Sequence, residues 1–324
     1  MRVLSGVQSS GTLHIGNYFG AIKQHIELQH ANECFFFIAN YHALNTVNDA
    51  PRMRQLTQDV ALDYLALGLD PNKAALFRQS DVPEVCELAW ILCTVTGMGL
   101  MERGTSYRDK VENGQSANVG LFIYPALMAA DILIYQSDIV PVGKDQTQHI
   151  EFTRDMAGYF NNTYGKPILK LPTARFNEAA VVPGTDGRKM SKSYGNTIEI
   201  FADSKTVAKK YKSEFKTDST PVEAPKNPDT CNLFAHLKLM AAPDEIAEWR
   251  KRYEQGGMGY GQVKQRLIEL YEAHFGPFRE KRAALAARPS EVEDILRSGA
   301  MKARAVAQGV MAQVRDACGI QTAT

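Results

Sequence analysis

The run Gly187-Arg188-Lys189-Met190-Ser191-Lys192-Ser193-Tyr194-Gly195-Asn196 sets two lysines and two serines in a glycine-flanked segment. Such a segment suits a mobile loop that closes on a triphosphate and stabilises negative charge as it develops on a leaving group. Basic surface loops share that composition. The fixed pentapeptide Lys189 to Ser193, however, arises by chance in a chain of 324 residues only about once in ten thousand. A second constellation, Ser10-Gly11-Thr12-Leu13-His14-Ile15-Gly16-Asn17, sits where a strand-like run gives way to a helical pattern. Unpaired N–H groups at a helix start attract anions, and Gly11 and Gly16 let a phosphate approach the backbone. His14 and Asn17, three residues apart, share one helix face. Taken alone, this is equally a capped helix start with a solvated histidine. Asp131 is a carboxylate inside an otherwise apolar run, where burial is costly without a hydrogen-bond partner. On its own it reads as a helix-face Asp paired to a neighbouring Arg or backbone amide.

The elements that must position these groups alternate. Strand-like runs cover Arg2 to Val7, Cys34 to Ala39, Ala74 to Gln79 and Asp138 to Val142. Helical patterns cover His14 to Gln29, Pro51 to Leu67, Pro83 to Val95, Ser116 to Tyr135 and Gln146 to Phe160. Strands alternating with helices predict an α/β fold with a parallel sheet covered on both faces. Residues 196–228 are rich in polar and charged residues and carry three prolines. Beyond them only helices are predicted, over Cys231 to Met240, Pro243 to Glu254, Gly261 to Phe275, Pro277 to Ala287 and Glu291 to Cys318. Residues 1–200 are therefore expected to form one domain and 201–285 a helical one, with 286–324 returning to the first.

Composition bounds the rest. At 324 residues, 44% hydrophobic and 23% charged, the chain is neither disordered nor fibrous. The longest apolar stretch, Val119 to Tyr135, is broken by Pro125 and Asp131 and is no bilayer span. The chain opens without a secretory signal, so a cytoplasmic protein is expected. Cys34, Cys86, Cys93, Cys231 and Cys318 form no CxxC pair, which disfavours disulfides and a structural zinc. Net charge is +1, but residues 201–324 hold 20 basic against 16 acidic residues, a balance that permits a polyanionic partner.

His14-Ile15-Gly16-Asn17 and Lys189 to Ser193 resemble the two signatures of class I aminoacyl-tRNA synthetases. Tyr124-Pro125-Ala126-Leu127-Met128-Ala129-Ala130-Asp131-Ile132-Leu133 and the run Val140 to Asp155 narrow the resemblance to bacterial tryptophanyl-tRNA synthetases. Recognisable similarity covers most of residues 3–235. Ser9 stands where many members have proline, and Asn17 where the class signature ends in histidine. The iron–sulfur cluster that some members carry in the anticodon region is excluded here, because only Cys231 lies between Lys192 and Ala317.

The resemblance implies a Rossmann-like catalytic domain (1–200), an anticodon-binding helical domain (201–285), a homodimer, and tRNA(Trp), L-tryptophan and ATP with Mg²⁺ as partners. It implies that Gln8, Ser9, Ser10, Gly16, Asn17, Gly143, Lys144, Asp145, Val182 and Lys189, Met190, Ser191, Lys192 and Ser193 hold ATP. Lys189, Lys192, Lys110, His14 and Asn17 would serve the chemistry. Asp131 becomes the acceptor for the indole N–H of tryptophan, with Met128, Leu4, Val140 and Val142 lining an apolar slot. Gln8, Tyr124 and Gln146 would hold the rest of the amino acid. The implied reaction forms tryptophanyl-adenylate and transfers the aminoacyl group to the 3′ end of tRNA. A tyrosyl-tRNA synthetase, a small-molecule adenylyltransferase and a catalytically silent tRNA-binding paralogue stand as alternatives. The pair Met128 and Asp131 fits indole better than a phenol, and the pentapeptide is not explained by an adenylyltransferase.

Overall fold

The apolar runs Val3-Leu4, Cys34-Phe35-Phe36-Phe37-Ile38 and Ala74-Ala75-Leu76-Phe77 become strands buried on both faces, as strands of a parallel sheet covered by helices must be. The structure is a computed structural model and describes residues 1–8, 11–113, 118–143, 146–176 and 181–320, with the backbone alone at Ser106, Lys110 and Phe176. Strand β1 (Arg2–Val7) is followed by helices α1 (Ile15–Asn17) and α2 (Lys23–Leu28), strand β2 (Glu33–Ile38), helices α3 (Asn40–Ala43) and α4 (Ala50–Ala66), and strand β3 (Ala74–Arg78). Next come α5 (Glu84–Val95), α6 (Met98–Met101), α7 (Thr105–Glu112), α8 (Val119–Leu133), β4 (Ile139–Val142), α9 (Thr147–Tyr164) and β5 (Thr173–Phe176). The remaining helices are α10 (Ser204–Lys209), α11 (Asn232–Met240), α12 (Pro243–Gln255), α13 (Tyr260–Ala286) and α14 (Pro289–Cys318).

All strand pairs are parallel, in the order β3-β2-β1-β4-β5. The strand order reverses beside β1, and in such sheets ligands bind outside the C-terminal strand ends at the reversal. Local chemistry fixes several helix ends. Asp49 accepts from Arg52 N–H at 2.7 Å with proline in the first turn of α4, and Asn118 accepts from Leu121 N–H at the start of α8. Gly165 and Gly319 close α9 and α14 in the left-handed conformation.

Contacts divide the chain into two compact units: Met1–Gly11, His25–Asn177 and Arg288–Thr324 form the first, and Thr12–Gln24 with Glu178–Ala287 the second. Residues 12–24 and 178–200 group with α10 to α13, because Ile15 N–H donates to Ile198 at 2.9 Å and Tyr18 packs edge-on against Phe275. In the first unit, α14 packs on β3 and pairs Arg304 and Arg315 with Glu84 and Glu87 of α5.

Three expectations need adjustment. The helix expected over residues 14–29 contains a π turn at Tyr18–Ile22, the kind of local widening that recurs at functional sites. The helices expected on either side of Gly276 form a single α13, with Pro277 inside it. Proline removes one backbone donor, but the buried residues from Val263 to Phe275 and at Leu285 keep both halves packed, and the helix runs on. Strand β5 and the short helices α3, α6 and α7 carry too little periodicity to be legible.

Candidate active site

In the first unit, three consecutive sheet strands each deliver a polar side chain from just beyond their C-terminal ends. Gln8 follows β1, His42 lies in α3 after β2, and Gln79 follows β3. Two of them meet Asp131, which the last turn of α8 holds at 2% exposure. His42 Nε2 donates to Asp131 Oδ2 at 2.9 Å, and Gln79 Nε2 donates to both carboxylate oxygens at 2.9 Å. The Gln79 amide cannot be turned round, because its Oε1 accepts from Tyr41 N–H at 3.0 Å. Burial pushes the Asp131 carboxyl above the ordinary range, while the bonds from His42 and Gln79 pull the other way. The expected Arg or backbone amide is thus replaced by partners 89 and 52 residues away in sequence. A carboxylate offers roughly four acceptor directions, and three are used here.

The apolar residues expected to line a slot belong to the large hydrophobic core of this unit. Leu4, Val140 and Val142 are buried in one cluster, with Met128 packed against it. Gln8 Nε2 donates to the backbone oxygen of His42 at 3.2 Å, and the His42 ring meets Tyr124 edge-on. Tyr124 OH in turn bonds His149 Nε2 at 3.0 Å. Gly143 follows β4, and its carbonyl accepts from Gln146 N–H, which places Gln146 at the start of α9.

The second unit holds both signatures. His14 pairs with Glu199 as an isolated antiparallel bridge, and Ile200 N–H donates to Leu13. Asn17 turns back to accept from His14 N–H at 3.0 Å, so it fixes the start of α1. The His14 imidazole is driven down to about 4, first by burial and then by the Lys192 ammonium, with Glu199 opposing. Its Nδ1 is buried with no hydrogen-bond partner among the described residues. The two signatures therefore lie within each other's electrostatic reach. A Cβ on Gly16 would stand 2.9 Å from His14 Nδ1 and 3.4 Å from Met190 Cβ, so a larger residue there would have to shift the imidazole.

The pentapeptide runs along one side of a small hairpin. Lys189 bridges Pro183, Met190 N–H donates to Val182 at 2.9 Å, and Met190 and Val182 are buried. Ser191 and Ser193 hydroxyls pair at 2.9 Å, while the Lys189, Lys192 and Ser193 side chains stay exposed. His236 of α11, fully buried, donates from Nε2 to the Pro183 carbonyl at 2.7 Å and accepts from Tyr211 OH at Nδ1. Lys110 lies in α7. Ser9, Ser10, Lys144 and Asp145 lie outside the described residues. His42, Gln79 and His149 were missed by sequence reasoning. Their one available signal was position, a polar residue shortly after an apolar strand or, for His149, in the helix that follows one.

Known proteins match this chain over nearly its whole length. The family model of class I tRNA synthetases for tryptophan and tyrosine matches residues 1–276. The tryptophan–tRNA ligase of Rhodopirellula baltica is 50% identical over 322 residues, 99% of this chain and 100% of that protein. A crystal structure of tryptophanyl-tRNA synthetase from Campylobacter jejuni, complexed with ADP and tryptophan, superposes with a TM-score of 0.92 at 52% identity, covering 98% of this chain and all of that one. The Mycoplasma pneumoniae enzyme superposes with a TM-score of 0.82 at 31% identity, covering 98% and 97% of the two chains. With two signatures, a parallel sheet and near-complete coverage in agreement, this chain belongs to the class I tRNA synthetases for tryptophan and tyrosine, among the bacterial tryptophan–tRNA ligases.

Proposed function

We propose that this tryptophan–tRNA ligase selects its amino acid through the remaining acceptor direction of Asp131 and drives adenylation with the Lys189 to Ser193 loop. The observation that carries the first half is the buried carboxylate, held by His42 and Gln79 beside an apolar cluster. Leu4, Met128, Val140 and Val142 face the flat indole ring, and Gln8, Tyr124 and Gln146 hold the amino-acid backbone. Met128 suits an aromatic partner because its sulfur is polarisable.

The tryptophan carboxylate oxygen forms the new bond to the α-phosphorus of ATP, and the bond to the bridging oxygen of pyrophosphate breaks. No protein nucleophile is needed, so the protein positions the reactants and stabilises charge. Lys189, Lys192 and Lys110 act on the phosphates. His14, Gly16 and Asn17, with Gln8, Ser9, Ser10, Gly143, Lys144, Asp145 and Val182, hold the nucleotide. Mg²⁺ enters with ATP as part of the substrate; among the described residues no group of three or more His, Cys, Asp or Glu side chains is placed to hold a metal of its own. The tRNA terminal ribose hydroxyl then attacks the acyl carbon, loses its proton, and AMP leaves.

Residues 201–285 take the anticodon end of tRNA(Trp). The enzyme acts in the cytoplasm as a homodimer: exposed Leu44, Trp90 and Ile123 rim a cavity of about 420 Å³ between α3, α5 and α8, an apolar face suited to a second copy. No helix among the described residues is long and apolar enough to cross a membrane. Pyrophosphate exchange measured with each of the twenty amino acids tests the reading. Exchange with tryptophan alone is expected, and exchange with tyrosine in its place would overturn the pocket assignment.

A further inference from the structure

Asn196 closes the signature run, and none of the proposed roles falls to it. Its side chain is 2% exposed and reaches back across the hairpin. Oδ1 accepts from Ser191 N–H at 2.8 Å, while Nδ2 donates to Asp186 Oδ1 at 2.7 Å and to the Lys189 carbonyl at 3.2 Å. Its own carbonyl accepts from Thr185 N–H at 3.0 Å. These partners dictate the amide orientation, since a backbone N–H only donates and a carbonyl only accepts. The two signature bonds straddle Met190, whose side chain is buried. Asn196 therefore sets the path of the backbone between the two lysines. Opposite it the chain must be glycine, because a Cβ on Gly184 would come within 2.3 Å of the Asn196 amide. Asp186 passes the link on, accepting from Arg188 Nε at 2.7 Å, and the Arg188 guanidinium lies 4.2 Å above the Tyr194 ring centroid.

We infer that Asn196 is a positioning residue for adenylation, holding Lys189 and Lys192 where charge develops through its bonds to Ser191, Lys189 and Asp186. The inference rests on the assignment of the Lys189 to Ser193 loop to the ATP phosphates.

The test uses the full-length enzyme and Asn196→Asp, which keeps the shape and the acceptor for Ser191 N–H. It removes both donations and sets a second carboxylate against Asp186. The expected result is a loss of about 10- to 100-fold in kcat for pyrophosphate exchange, the loss of one or two oriented hydrogen bonds. Tryptophan affinity should stay within about twofold. The swap Asn196→Asp with Asp186→Asn restores a donor and an acceptor in reversed order, and should recover several-fold of the rate. A rate within about threefold of the parent, an equal loss of tryptophan affinity, or a swap that recovers nothing overturns the inference. If Asn196→Asp does not fold, Asp186→Asn alone carries the test, with the same split between kcat and tryptophan affinity expected. Lys192→Ala is measured in parallel. A normal rate there would sink the loop assignment itself, whereas an impaired Lys192→Ala beside a normal Asn196→Asp would sink only the role of Asn196.

Discussion

Asp131 and Asp186 are both carboxylates tied by an amide side chain, yet their surroundings push them in opposite directions. Asp131, fully buried among apolar residues, is raised by desolvation in spite of its bonds from His42 and Gln79. Asp186, at the exposed signature hairpin, is pulled down to about 2, chiefly by the Asn196 amide and then by Arg188. The first arrangement makes a dry acceptor whose unmet hydrogen bond is expensive, which is what selectivity needs. The second favours the ionised carboxylate, the form that accepts from both Asn196 and Arg188. On the proposed roles, selection of the amino acid and the shape of the signature loop rest on different physics. That separation can be attacked from either side.

The largest effect is expected at Asp131. A wholly apolar slot discriminates by contact area, which is worth about 1 to 3 kcal/mol, whereas a site built to hydrogen-bond its substrate reaches roughly 10⁴ to 10⁵. Asp131→Ala should therefore lower the preference for tryptophan over the analogue with sulfur in place of the indole nitrogen by on the order of 10⁴. The ratio of kcat/KM values in pyrophosphate exchange measures it. An unchanged ratio would make Asp131 a structural carboxylate serving only His42 and Gln79.

Next in size is Lys192→Ala. Removing one charged donor aimed at developing charge costs on the order of 10² to 10³ in rate. Tryptophan binding, measured by equilibrium titration, should hold. If affinity and rate fell together, the loop would be shaping the amino-acid pocket, and the separation of the two proposed roles would fail.

These two predictions draw on residues the sequence exposes, and the reason is local. The sheet, its parallel sense and the apolar cluster follow from alternating runs that each carry their own period. The pentapeptide and His14 to Asn17 are contiguous, so their chemistry is legible without a fold. The partners of Asp131 are not. His42 and Gln79 lie 89 and 52 residues from it and meet it only because β2 and β3 end beside the same crevice. The π turn at Tyr18–Ile22 and the continuation of α13 through Pro277 are likewise set by packing that local propensity does not report. Asn196 was in plain view in the signature run, but its role depends on Asp186 and Gly184 across a hairpin.

Gln79→Leu probes the same pocket more gently. It removes two donations to Asp131 and the acceptor for Tyr41 N–H, leaving buried groups short of partners at a cost of about 1 to 3 kcal/mol. The expected outcome is a rise in KM for tryptophan of roughly 5- to 100-fold and a further rise of the Asp131 carboxyl, since Gln79 now pulls it down. The maximal exchange rate should change much less than in Lys192→Ala. A loss confined to kcat would place Gln79 on the phosphate side of the chemistry.

The smallest effect is a titration, and it asks whether the two signatures share one field. His14 is held at about 4 against an ordinary 6.5 by burial and by Lys192. A histidine lowered on folding binds fewer protons in the native state between those values. Its contribution to stability is then complete above pH 6.5 and is lost as pH falls toward 4. In the nucleotide role proposed for it, an imidazole so lowered would meet a phosphate as a hydrogen-bonding group and not as a cation. Among the 7 histidines, the C2 proton resonance assigned through His14→Gln should stay flat from about pH 8 to 5.5. In Lys192→Ala the same resonance should begin to move at a higher pH, because the ammonium that disfavours a second positive charge is gone. A midpoint near 6.5 in the parent enzyme would mean that His14 is solvated and cationic at the start of catalysis. A midpoint unmoved by Lys192→Ala would mean that burial alone sets it, with the loop too distant to matter.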